Sequence, residues 1–160
     1  MAIEIRELFR EDRESLRKLL SRITVFDAED NALAMELVNI FLDDPAQKDY
    51  EFFVAADNSG GVIGFICFGP TPLTMGTYDL YWIGVDPAYA GQGLGTSLLK
   101  RFESAVSNKG GRLIVIETSS SQKYTITRRF YLKNGYVVAE AIKDFYQPGE
   151  DRVTFIKNLQ

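Results

Sequence analysis

The amino-acid sequence predicts a single α/β domain over residues 1–160, a mixed sheet with helices packed against it. Three observations carry that prediction. Short strand-like runs interleave with stretches whose apolar residues recur every three to four positions, in the order β-α-α-β-β-β-α-β-α-β-β. A glycine-rich turn in mid-chain joins an apolar strand to an amphipathic helix. Finally, 160 residues with 46% hydrophobic and 25% charged content, and with no repeat, low-complexity tract or linker, suit one core that folds without staples.

The N-terminal stretch from Met1 to Arg6 alternates like a strand through Ile3 and Ile5 and has no signal-peptide core. Leu16, Leu19, Leu20 and Ile23 then follow helical spacing. Asp30 is the expected N-cap of a second helix with Leu33, Leu37, Ile40 and Phe41 as its apolar face, and Pro45 helps to end it. Strands are expected over 50–56 and 62–69, joined by the turn Asn58-Ser59-Gly60-Gly61. After a Pro70–Gly76 loop, a fourth strand runs over 78–85 and closes at Asp86-Pro87. Gly91 to Gly95 open a helix carrying Leu94, Leu98, Leu99, Phe102 and Val106 on one face, and Lys109-Gly110-Gly111 end it. Leu113 to Ile116 form a short apolar run typical of a buried strand. A helix over 125–134, with Gly135 just past its end, precedes two strands over 136–142 and 152–159.

Composition removes several function classes. There is no histidine, so serine–histidine and cysteine–histidine catalysis and histidine-rich metal sites are excluded, and no metal is expected. Acid–base chemistry falls to Asp, Glu, Tyr, Lys or water. The one cysteine, Cys67, lies in an apolar run and reads as a buried structural thiol, with no disulfide possible within the chain. A net charge of −4 opposes general nucleic-acid binding, and no apolar run is long enough to span a bilayer. The expectation is a cytoplasmic protein with no nucleic-acid or membrane partner. Exposed sheet edges and an aromatic C-terminal hairpin make a homodimer conceivable.

The segment from Tyr81 to Leu99 carries the functional argument. A strand feeds through Gly91, Gly93 and Gly95 into a helix N-terminus, where unpaired N–H groups and the helix dipole favour an anion. Glycine is needed because a Cβ would hold a pyrophosphate away from the backbone. A dinucleotide turn would want a third glycine where Thr96 or Leu98 stands, although Glu117 lies near the distance of its ribose-binding acid. A nucleotide-triphosphatase loop is excluded, for the chain has no Gly-Lys-Ser or Gly-Lys-Thr.

The run Ala90-Gly91-Gln92-Gly93-Leu94-Gly95 resembles the signature of the GNAT superfamily of acetyl-CoA-dependent N-acetyltransferases, Arg or Gln, two residues, Gly, one residue, then Gly or Ala. The glycines match, and Ala90 departs from the leading Arg or Gln, a place that Gln92 or the Thr96 hydroxyl could fill. The resemblance covers most of the chain and is specific from Tyr78 to Tyr136. It implies that the amides from Gln92 to Thr96, around Leu94 and Gly95, hold the pyrophosphate of acetyl-CoA. It also implies that the backbone of Ile83, Gly84 and Val85 pairs with the pantetheine arm. The run Phe130-Tyr131-Leu132-Lys133-Asn134-Gly135-Tyr136 is similar to the family's "FYxKxGF" ending, which makes Tyr131 the acid that protonates the leaving thiolate. Tyr124, seven residues earlier, stands where the family often carries an asparagine and counts with the cofactor-binding residues.

Such a transfer needs a base, because the nucleophile is a neutral amine. Deprotonating a lysine of pKa about 10.4 at pH 7 costs about 4.6 kcal/mol, and an α-amino group near 8 about 1.4 kcal/mol. Glu117 resembles the glutamate of the superfamily's N-terminal alanine acetyltransferases, and Asp79 on the fourth strand is the rival. Phe26, Asp27, Asp30, Thr74, Thr77, Tyr81, Phe145 and Tyr146 are candidate acceptor-site residues, their acidic members suited to a cationic small-molecule or peptide amine. The competing reading is a module that binds acyl-CoA without catalysis, and a dinucleotide binder is the third.

Overall fold

A computed structural model describes residues 2–160; Met1, the first residue of the alternating N-terminal stretch, lies outside them. Strands β1 (Glu4–Glu7), β2 (Glu51–Ala56), β3 (Val62–Pro70), β4 (Thr77–Val85), β5 (Leu113–Ser119), β6 (Val137–Gln147) and β7 (Glu150–Asn158) are joined with helices α1 (Arg13–Arg22), α2 (Ala28–Asp43), α3 (Leu94–Asn108) and α4 (Thr125–Lys133). This is the predicted order of elements. One seven-stranded sheet runs β1-β2-β3-β4-β5-β7-β6, antiparallel except where β4 meets β5. Among the described residues no helix is long and apolar enough to cross a membrane.

The helices cover both faces of the sheet. Phe53, Ala55, Ile66 and Phe68 point from β2 and β3 toward α3, whose Leu94, Leu98, Leu99, Phe102 and Val106 are all buried. Alternate residues Phe52, Val54, Phe65 and Cys67 point the other way, onto Leu16, Leu19 and Leu20 of α1 and onto α2. Strands buried on two faces must be apolar throughout, which is why β2 and β3 read as nearly unbroken apolar runs. Cys67 is fully buried, and that burial pushes its thiol well above the ordinary range.

Two expectations for α2 are corrected. Its N-cap is Asp27, and Asp30 sits three residues in: the Asp27 carboxylate accepts from the Asp30 amide at 2.8 Å while the Asp30 carboxylate accepts from the Asp27 amide at 3.0 Å. This reciprocal box satisfies two otherwise unpaired donors, which a cap at Asp30 would leave open. The fully buried stripe is Ala34 and Val38, with Leu37 and Phe41 only partly buried, while Leu33 and Ile40 are exposed. Small residues let the helix lie close, and Leu33 turns toward a cavity instead. Strands β5 and β6 also outrun the predicted 113–116 and 136–142, because their polar ends pair with β7. Strand β6 forms one edge of the sheet and is exposed along its whole length.

The sheet parts between β4 and β5. Their parallel pairing covers only Thr77–Leu80 against Leu113–Ile116. Beyond that point β4 stays with β3 and β5 stays with β7, so a gap opens between Tyr81–Val85 and Glu117–Ser119.

Candidate active site

That gap widens into a cavity of about 960 Å³. Phe26, Asp27 and Asp30 line it from the start of α2, Tyr81 and Ile83 from β4, Glu117 from β5, Tyr124 and Tyr131 from the far side, and Tyr146 from the β6–β7 hairpin. Residues expected at five separate places in the chain therefore share one space. Asp79 does not line it. That carboxylate sits on the paired part of β4 and accepts from the Thr71 hydroxyl at 2.7 Å. Thr74 of the β3–β4 loop bonds to Thr77 at the start of β4, and Phe145 stacks under the Arg152 guanidinium at 4.7 Å.

Tyr131 is positioned by the way α4 ends. Gly135 adopts φ +90°, its amide donates to the Leu132 carbonyl at 3.2 Å, and the Tyr136 amide donates to the Tyr131 carbonyl at 3.1 Å. These two bonds form a Schellman motif, which only a residue at ease with positive φ can close. The Tyr131 ring packs between Phe130, Tyr136 and Phe155. Its hydroxyl takes no hydrogen-bond partner among the described residues, and the side chain is 4% exposed. Burial, with a smaller contribution from Tyr124, pushes its phenol well above the ordinary value of about 10, so it holds its proton at physiological pH.

Glu117 is held differently. Ile114 and Ile116 point to the same face as Tyr131, and successive residues of a strand alternate, so Glu117 points to the other face. It keeps about half of its side-chain surface exposed and pairs loosely with Arg152 at 3.7 Å. A phenol and a carboxylate thus reach the gap from opposite sides of the sheet. Tyr81 is the extra residue of a bulge, because Cys67 faces Trp82 and Phe68 faces Leu80. Burial first, and then the Asp79 charge, push its phenol to about 12.

The glycine turn stands outside the cavity, at the start of α3. Gly93 is the N-cap with φ +78°, and Gly91 has φ +77°. The first intrahelical bond is from the Ser97 amide to the Gly93 carbonyl, so the amides of Leu94, Gly95 and Thr96 have no intrahelical acceptor. A Cβ at Gly91 or Gly93 would meet nothing within 4 Å, so the turn beside these donors is open. This cradle fits a phosphate group. Gly84 serves another purpose: a Cβ there would come within 2.5 Å of Ile23, so glycine lets β4 lie against the end of α1.

Several lining residues lie outside what the sequence suggested, chief among them Trp82, Lys123 and Glu150. Trp82 neighbours Tyr81 and packs edge-on against Phe26 at 5.4 Å, a contact that the lone tryptophan could have flagged. Glu150 accepts from the Ser119 hydroxyl at 2.5 Å across 31 residues, and no local pattern announces that. Arg128 donates to the carbonyls of Ser119 and Ser121 at 2.6 and 2.8 Å and so fixes the loop between β5 and α4.

These features define a class: an α/β domain whose one parallel strand pair parts beside a helix N-terminus with free amides, with a carboxylate and a buried phenol in the gap. Comparison with known proteins gives the family. The sequence profile of the acetyltransferase (GNAT) domain matches residues 48–138. An uncharacterized N-acetyltransferase of Methanocaldococcus jannaschii is 31% identical over 106 residues, which span 66% of this chain and 65% of that protein. A crystal structure of a protein assigned to the GNAT family from Desulfovibrio desulfuricans superposes with a TM-score of 0.95 at 36% identity, covering 99% of this chain and all of that one. The PaiA N-acetyltransferase of Thermoplasma acidophilum, solved with coenzyme A, superposes at 0.75 with 23% identity over 99% of both chains. The chain belongs to the GNAT acetyltransferase family.

Proposed function

We propose that this protein transfers the acetyl group of acetyl-CoA to an amine by direct attack, with Glu117 as base and Tyr131 as acid. The observation that carries the reading is the meeting of these two side chains in one gap of the sheet, with the amide cradle of α3 beyond it. In this reading the amides from Gln92 to Thr96 hold the pyrophosphate. Beyond Leu80, β4 has no partner strand on its β5 side, so the backbone of Ile83, Gly84 and Val85 is free to pair with the pantetheine arm. Acetyl-CoA supplies an activated thioester carbonyl.

Glu117, directly or through a water, takes the proton that an ammonium must lose before its nitrogen can attack. The new bond is nitrogen to acetyl carbon and the bond broken is carbon to sulfur. Tyr131 gives its proton to the departing thiolate and is reprotonated by the second proton that the nitrogen sheds as the amide forms. Its raised pKa keeps that proton in place until charge develops on sulfur, and its lack of another partner leaves the hydroxyl free to donate. Asp79 fits the base role less well, since it lies off the cavity and is committed to Thr71.

Replacing Tyr131 by Phe tests the assignment. Acceptor-dependent thiol release should fall by about 10²-fold or more, the ordinary contribution of a general acid, while CoA affinity is kept. Unchanged turnover removes Tyr131 from the mechanism. A protein that binds CoA yet releases no thiol with any amine is instead an acyl-CoA-binding module.

A further inference from the structure

The walls of the cavity bear on which amine is used. Of its charged lining residues, Asp27, Glu29, Asp30, Glu117 and Glu150 are acidic and Lys123 alone is basic. Setting Glu117 aside, Asp27 and Asp30 come from the first turn of α2, and Glu150 comes from the β6–β7 hairpin. Tyr124 lies among these three. Burial first, and then the charges of Asp30, Asp27 and Glu150, push its phenol to about 12. A carboxylate cluster alone would mark only a solvated surface, but two further features point to a ligand.

The first is Lys123. Its ammonium lies 5.3 Å from the centre of the Tyr124 ring, near enough for a cation–π contact. Its charge also helps hold the Asp27 carboxyl below the usual range, after the larger effect of the Asp30 amide. The chain's own alkylammonium thus rests on the tyrosine face among the acids. The second is Tyr131, a buried side chain whose unpartnered hydroxyl faces the same cavity beside Tyr124. The cavity therefore has a reacting end at Tyr131 and Glu117, and a cation-holding station at Tyr124.

Resting on the transfer reading above, we propose that the acceptor carries two cationic nitrogens. A primary amine stands at Glu117, and a second ammonium or guanidinium lies over the Tyr124 ring among Asp27, Asp30 and Glu150, displacing Lys123. A linear diamine and a peptide N-terminus followed by a cationic side chain share this chemistry.

Two matched pairs separate these sources: diaminobutane against butylamine, and alanyl-lysine amide against alanyl-glutamine amide. Binding to the CoA-loaded protein is read by calorimetry, and transfer by thiol release with acetyl-CoA. In at least one pair the dication should bind about tenfold more tightly and show a correspondingly lower KM, and that pair names the source. Glu150→Gln and Asp30→Asn, which keep hydrogen-bonding side chains, should each cut the preference about threefold to fivefold, as expected for single exposed ion pairs. Lys123→Met, which removes the resident competitor, should lower the dication KM. A dication preference in calorimetry without thiol release would keep the station and sink the transfer reading. Equal binding of both members in both pairs, or a preference that Glu150→Gln and Asp30→Asn leave untouched, would overturn the inference while any transfer observed stands.

Discussion

The sharpest test of the cofactor assignment is a single methyl group at Gly93. Its φ of +78° lies in the left-handed region, and a Cβ there would meet nothing within 4 Å. The fold therefore loses only the backbone strain of Gly93→Ala, about 1–2 kcal/mol, with no steric clash to add. For a chain of this size that lowers the melting temperature by roughly 2–8 °C. In the proposed reading the pyrophosphate rests on the Leu94, Gly95 and Thr96 amides, and the methyl group takes up part of the open space beside the first of them. Losing one hydrogen bond to a charged pyrophosphate costs about 1.5–3 kcal/mol, a rise in Kd of roughly tenfold to a hundredfold. Gly110 supplies the control. It has φ +82°, equally open space, and lies past the other end of α3, roughly 20 Å away along the helix. Gly110→Ala should cost similar stability and leave CoA affinity alone. Thermal melts and CoA calorimetry on the two variants make the comparison. If both lose stability alike and both bind CoA as before, the turn does not hold the pyrophosphate.

Glu117→Gln should lower kcat/KM about 10²-fold at neutral pH, with the deficit shrinking toward the acceptor's own pKa, where water alone leaves the amine neutral. A deficit that stays constant across pH would argue that Glu117 binds rather than deprotonates. Asp12 governs acid stability. Burial pulls its carboxyl up, but hydrogen bonds from Arg6 at 2.7 and 3.0 Å and from the Phe9 amide at 2.7 Å outweigh that and hold it below the usual range. A lowered folded-state pKa means stability that is present above the unfolded value near 3.9 and lost as pH falls through the folded value. Asp12→Asn should therefore cost about 1–3 kcal/mol in denaturant melts near neutral pH, with the gap closing as pH falls through the folded-state value, and a gap that does not narrow at all in acid would contradict this.

Local chemistry made most of the framework readable. The five apolar residues of α3 repeat at helical spacing because one face meets the sheet, and Gly135 follows α4 because its end needs a positive φ. Where the sequence misled, contacts that the apolar pattern does not encode decided. Asp30 reads as a cap until Asp27 is seen to close the reciprocal box, and Leu33 reads as core until the cavity beside α2 is known. The site was legible in its separate parts, the glycine turn, Tyr131 and Glu117. That these share a cavity with Lys123 and Glu150 depends on strand register, which no local pattern carries. Ala90 and Tyr124 depart from the family pattern; Gln92 and Thr96 stand near enough in sequence to Ala90 to substitute for it, and nothing in the sequence does so for Tyr124. The structure sets Tyr124 among carboxylates, a use that its sequence neighbours do not hint at.

The parting of β4 and β5 joins these observations physically. A sheet gains from every ladder bond, so four residue pairs between β4 and β5 where the length of β5 allows seven look like a loss. Each strand nevertheless keeps its other neighbour: Ile83 to Val85 stay paired with β3, and Glu117 to Ser119 with β7. The cost is confined to the backbone groups that face the gap, and these stay inexpensive only while water or another backbone-like partner can reach them. An extended, amide-bearing arm laid along β4 would restore the missing bonds, much as an added strand does. The same opening lets Tyr131 and Glu117, which stand on opposite faces of the sheet, address one space. Had β4 and β5 paired to their ends, the sheet itself would separate the phenol from the carboxylate.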